Sequence, residues 1–121
     1  MATVREVMST ALHYVSPTTT VGEAVALMAQ HRIGSTLVME GTRLVGIFTE
    51  RDTVRALSHS HDAPAHEVSS WMTHDPLTAE PGDSVEQALQ TMLDHNFRHL
   101  PVVDGEDVVG IVSIRDLAAP K

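Results

Sequence analysis

The chain matches itself. Slid by 64 positions, it aligns without a gap from Val4 to Pro120. Met8 falls on Met72, Pro17 on Pro81, Ala24 on Ala88, Met28 on Met92 and His31 on His95. Gly41 falls on Gly105, Val45-Gly46-Ile47 on Val109-Gly110-Ile111, and Arg51-Asp52 on Arg115-Asp116. Chance would scatter matches among apolar types. Here glycines, a proline and an Arg-Asp pair keep register, which is the mark of a duplicated structural unit.

Each copy reads the same way. Thr20-Val-Gly-Glu23 and Ser84-Val-Glu-Gln87 fit a capping box, in which a hydroxyl and an acid or amide satisfy the free N–H groups of a helix start. Val21, Ala24, Val25 and Met28 follow in one copy, and Val85, Ala88, Leu89 and Met92 in the other. That is helical spacing with one apolar stripe. Two short strands come next, near Thr36–Met39 and Leu44–Phe48, and near Leu100–Val103 and Val108–Val112. Gly41 and Gly105 sit where a tight hairpin turn is needed. A further strand is expected near His13–Val15 and near Leu77–Thr78. A short helix is expected after Thr49, running to about Leu57, and after Ser113, running to Ala119.

The fold class is therefore α/β in the α+β sense, with two tandem β-α-β-β-α units. The boundaries read as residues 1–57 for the first, 58–67 for a linker and 68–121 for the second. Ser58 to Glu67 is polar and holds Pro64, as a linker would. Trp71 is expected to pack a short helix onto the second unit. A unit under about 60 residues buries too little surface to stand alone. The two are expected to pair about a pseudo-twofold axis, with two equivalent pockets in the cleft.

Bulk properties remove several functions. The net charge of −8 disfavours phosphate backbones and anionic lipid surfaces, so neither nucleic acid nor membrane is an expected partner. The absence of cysteine removes thiolate nucleophiles and zinc-cysteine sites. No apolar run approaches the roughly 18 residues of a membrane span. The first residues lack the pattern of a signal peptide, and a cytoplasmic location is expected.

The sharpest motif occurs twice: Gly46-Ile-Phe-Thr49-Glu-Arg-Asp52 and Gly110-Ile-Val-Ser113-Ile-Arg-Asp116. Each lies where a buried strand enters a helix. One reading is a helix cap, with the hydroxyl at the N-cap and the acid three residues on. The other is a carboxylate accepting hydrogen bonds from the 2′ and 3′ hydroxyls of a ribose, a neutral diol suited to an anionic acceptor. The two are compatible.

With these segments, the order of elements and the duplication, the chain resembles a pair of CBS domains, the family named after cystathionine β-synthase. The segment from His95 to Asp104 and the opening Val-Arg-Glu-Val-Met8-Ser-Thr add to the likeness. The resemblance implies a regulatory module that binds adenine nucleotides or related adenosyl ligands (AMP, ADP, ATP or NAD) in the cleft. It implies no metal requirement and no catalytic residues.

Carried over position by position, the resemblance implies a site map. Thr49 and Asp52 would hold one ribose, and Ser113 and Asp116 the other. Arg98 and His99 match a basic pair that reaches phosphates, and arginine suits phosphate by its fixed fork of donors. The first copy has Gly34 and Ser35 there instead, so the pocket of Ser113 and Asp116 is expected to be the better one. The adenine would lean on Ser9, Leu12, His13 and Ile33 in that pocket, and on Thr73, Leu77 and Phe97 in the other. The resemblance also implies a homodimer and an unknown protein target.

Eight histidines invite a metal reading. His59, His61 and His66 lack the paired spacing of a helical zinc site and read as solvated. His31 and His95 fall near helix C-termini, where a cation meets the dipole favourably. Two other functions compete with the nucleotide sensor. One is a purely structural dimerisation module with no ligand. The other is a small metal-dependent hydrolase, which lacks an activated nucleophile and a base-orienter pair.

Overall fold

The computed structural model describes residues 2–118. Five helices and six strands alternate in the order α1 (Val4–Val7), β1 (Tyr14–Val15), α2 (Val21–His31), β2 (Ser35–Glu40), β3 (Arg43–Thr49), α3 (Glu50–His59), β4 (Thr73–His74), α4 (Val85–His95), β5 (His99–Asp104), β6 (Asp107–Ser113) and α5 (Ile114–Ala118). Short 3-10 turns at Ala63–Ala65 and Val68–Ser70 bridge α3 and β4. Ala119, the expected end of the last helix, lies outside the described residues.

The long helices start as the sequence dictates. The Thr20 hydroxyl accepts from the Glu23 N–H at 3.1 Å, and the Glu23 carboxylate accepts from the Thr20 N–H at 3.0 Å. Ser84 and Gln87 repeat this at 3.0 and 2.9 Å. The Thr20 N–H and then the Thr20 hydroxyl, which donates to the same carboxylate oxygen at 2.9 Å, hold the exposed Glu23 carboxyl below its usual range. The hairpin glycines Gly41 and Gly105 both have φ of 65°, a left-handed conformation that glycine adopts without steric cost.

The chain forms two compact units, and neither coincides with one copy of the repeat. Among the described residues, one unit joins 2–12 to 77–118, and the other runs from His13 to Pro76. The leading segment of each copy has therefore been exchanged. Val4 is buried in a core with Ala79, Ala88, Met92, Leu100, Val102, Val112 and Leu117. Its equivalent, Val68, is buried with Val21, Ala24, Met28, Val38, Phe48 and Met72.

Backbone hydrogen bonds follow the same exchange. In the His13–Pro76 unit the sheet order is β1-β2-β3-β4, with Val15 beside Val38 and Thr73 opposite Ile47. In the other unit β5 pairs with β6, Ala79 lies parallel to Val102, and Ser9 pairs antiparallel with Ile111. These are the same contacts, offset by one repeat. The strand expected near Leu77–Thr78 is thus a single bridge at Ala79.

One expectation changes. Trp71 packs against the Val21–Phe48 core of the first copy, not onto the second unit, because buried Val68 and Met72 on either side carry it there. The stretch read as a linker is structured. His59 ends α3, Ala63 is buried, and Glu67 bridges Thr20. His66 accepts a hydrogen bond from the Trp71 ring N–H at 3.2 Å, the two rings lying edge to edge and parallel within 2°.

Candidate functional site

Both repeated motifs end a β-strand and open a helix. At Thr49, the N–H donates to Asp52 Oδ2 at 3.0 Å and the hydroxyl donates to the same oxygen at 3.1 Å. The Asp52 N–H donates back to the Thr49 hydroxyl at 3.3 Å. At Ser113, the N–H donates to Asp116 Oδ2 at 2.9 Å and the Asp116 N–H returns a bond of 3.1 Å. The cap reading therefore holds at both motifs. Each cap also fixes its carboxylate beside the end of a strand.

The two carboxylates differ in surroundings. Asp52 is buried, and its Oδ1 also meets the Arg55 guanidinium at 3.3 Å. Asp116 is half-buried. Among the described residues its one hydrogen-bond donor besides its own helix is the Ser113 N–H. The position equivalent to Arg55 is Ala119, which has no guanidinium to offer. The sequence reading missed Arg55, although its place three residues after Asp52 on a helix is the spacing at which side chains meet.

The basic pair stands beside the second motif. His99 opens β5 directly opposite Ser113, and the Arg98 carbonyl accepts from the Ile114 N–H at 2.8 Å. The half-buried His99 and the exposed Arg98 thus share one corner with Ser113 and Asp116. In the other unit that corner holds Ser35, opposite Thr49, and Gly34, whose carbonyl accepts from the Glu50 N–H at 3.0 Å.

The residues mapped to adenine are divided between the units. Ser9, Leu12, Leu77 and Phe97 belong with Ser113 and Asp116, while His13, Ile33 and Thr73 belong with Thr49 and Asp52. Ser9 is held by two backbone bonds to Ile111, two residues before Ser113. Thr73 pairs with Ile47, two residues before Thr49. Ile33 and Phe97 pack partly against their own cores. His13 stacks on His31 at 3.9 Å between ring centroids, and Phe97 stacks on His95 at 5.7 Å. The two helix-end histidines thus each cover a residue mapped to the base. Among the described residues, no three His, Asp or Glu side chains converge as metal ligands would.

A family model described as CBS domain matches residues 4–59 and again residues 67–119. The chain belongs to the CBS-domain family. The CBS domain-containing protein YhcV of Bacillus subtilis is 39% identical over 119 residues, covering 98% of this chain and 84% of its own length. The CBS domain pair of MJ0100, solved with 5′-methylthioadenosine and S-adenosyl-L-methionine, superposes with a TM-score of 0.89 at 27% identity, covering 98% of this chain and 94% of that one. CBSX2, solved with AMP, superposes with a TM-score of 0.82 at 26% identity, covering 97% and 93%. The exchange of leading segments explains why a CBS repeat in sequence is not one compact body in space. No described helix is long and apolar enough to cross a membrane.

Proposed function

We propose that the chain is a regulatory module, not an enzyme, that binds an adenine nucleotide and signals its occupancy to a protein partner. The observation that carries this reading is the corner formed by Ser113, Asp116, Arg98 and His99. A carboxylate with open acceptor positions suits a ribose diol, and an exposed guanidinium beside it suits a phosphate. The acid reads the sugar and the basic pair reads the charge. Relatives solved with AMP and with adenosyl ligands support the choice of adenine. The rest of the protein is acidic, so a local basic cluster is what offsets repulsion of an anion.

The test is calorimetry with adenosine and with AMP, both without turnover. AMP is expected to bind more tightly than adenosine. Arg98→Ala should remove most of that difference, costing AMP about three- to tenfold and adenosine little. Equal affinity of the wild type for adenosine and AMP would remove Arg98 and His99 from the site. Release of product from ATP or AMP would overturn the non-enzymatic reading.

The module is proposed to act as a homodimer in the cytoplasm. Val54 and Leu57 are exposed, three residues apart on α3, and so share one helix face. Their burial against a second copy would remove that apolar surface from water. Light scattering at about 50 μM, well above the Kd of a stable protein interface, is expected to give twice the chain mass. A single-chain mass there would contradict the dimer.

A further inference from the structure

We propose that Arg55 guards the Asp52 half-site, making it weaker and less discriminating for ribose than the Asp116 half-site. The inference rests on the nucleotide reading above and adds to it a residue that sets specificity. An ionised carboxylate has roughly four acceptor positions. At Asp52 the Thr49 N–H, the Thr49 hydroxyl and the Arg55 guanidinium take three of them. One remains, too few for both hydroxyls of a 2′,3′-diol. At Asp116, among the described residues, the Ser113 N–H takes one and three remain.

Arg55 is well anchored where it stands. The same Nη2 atom that meets Asp52 also donates to the Trp71 carbonyl oxygen at 2.6 Å. Its guanidinium carbon lies 5.4 Å from the centre of the Trp71 ring, in cation–π range. Trp71 itself is held by His66 and by the Val68 carbonyl, which accepts from its N–H at 3.0 Å. A diol arriving at Asp52 must therefore move Arg55 off Oδ1 against three holds, or bind through a single hydroxyl. In the second case the site scarcely distinguishes ribose from 2′-deoxyribose.

The experiment isolates the Asp52 half-site in an Asp116→Ala background. Calorimetry compares adenosine with 2′-deoxyadenosine, with and without Arg55→Met. With Arg55 present the two nucleosides should bind alike. With methionine, adenosine should gain about two- to fivefold, the range of a part-exposed ion pair, while 2′-deoxyadenosine gains less. Arg55→Gln keeps a donor for the Trp71 carbonyl and should show the same gain, so it carries the test if the methionine variant unfolds. An unchanged or lower adenosine affinity overturns the guard, while binding itself still upholds the nucleotide reading. Adenosine binding by the wild type that vanishes with Asp116→Ala and is not restored by either Arg55 variant also overturns the guard alone. Absence of both adenosine and AMP binding in the wild type overturns both, while AMP binding without any adenosine binding overturns the guard alone.

Discussion

Gly46→Ala and Gly110→Ala are each expected to destabilise the protein by about 1–3 kcal/mol, the cost of overpacking a filled core. A Cβ on Gly46 would lie 2.5 Å from Met72 Sδ and 2.9 Å from the Thr73 carbonyl oxygen. A Cβ on Gly110 would lie 2.5 Å from Met8 Sδ and 3.0 Å from the Ser9 carbonyl oxygen. A methionine can swing aside at modest cost. A carbonyl locked in a ladder cannot. Thr73 is paired with Ile47, and the next residues are held by the Asp75 N–H donating to the Val45 carbonyl at 3.1 Å. Ser9 is held to Ile111 in both directions, at 2.8 and 3.0 Å. Gly82→Ala is the control, since nothing lies within 4 Å of its Cβ position, and it should stay within about 0.5 kcal/mol of wild type. Urea midpoints decide the matter. If Gly46→Ala and Gly110→Ala melt like Gly82→Ala, the exchanged segments do not sit on these strands.

The same glycines mark where the sequence was legible and where it was not. The repeat, the capped helices and the hairpins are written in local chemistry, and the structure has them within one to three residues of their expected ends. Gly46 and Gly110 were visible as motif positions, but not what faces them. The segments around Met8 and Met72 are equivalent by duplication, so each carries the residues needed to pack on either hairpin. No periodicity chooses between the two pairings. The choice is made by tertiary packing of Val4 and Val68 into opposite cores, which is why Trp71 was assigned to the wrong unit. Arg55 escaped for a related reason. Its spacing to Asp52 was plain, but its hold on the Trp71 carbonyl depends on a segment sixteen residues away.

The candidate site was legible to a different depth in its two halves. The Thr49/Asp52 and Ser113/Asp116 pairs announce themselves by repetition, and both form the reciprocal caps their spacing allows. That Arg98 and His99 flank Ser113 follows from strand register: β5 and β6 are consecutive, and their hairpin at Gly105 sets His99 against Ser113. The residues mapped to the base had no comparable local signature. Their assignment remains a proposal carried by family resemblance.

Asp116→Ala is expected to weaken AMP binding about tenfold or more, the loss of a charged acceptor worth roughly 1.5–3 kcal/mol. Asp52→Ala should cost less. Asp116 has acceptor positions open and a basic pair at its side, whereas Asp52 is already engaged by Arg55 and faces Gly34 and Ser35. Each variant loses the carboxylate half of its capping box but keeps the hydroxyl half. Asp52→Ala also breaks the pair that buried Asp52 makes with Arg55, so Asp52→Ala should melt lower while Asp116→Ala loses more affinity. Equal losses would make the two half-sites equivalent and the basic pair irrelevant. The most direct measurement adds the double variant. AMP titrated calorimetrically into the wild type should give saturable heat, reduced most by Asp116→Ala and abolished by Asp52→Ala with Asp116→Ala together. Undiminished binding in a folded double variant, or no binding of any adenine nucleotide by the wild type, would contradict the assignment of these two carboxylates to a ribose.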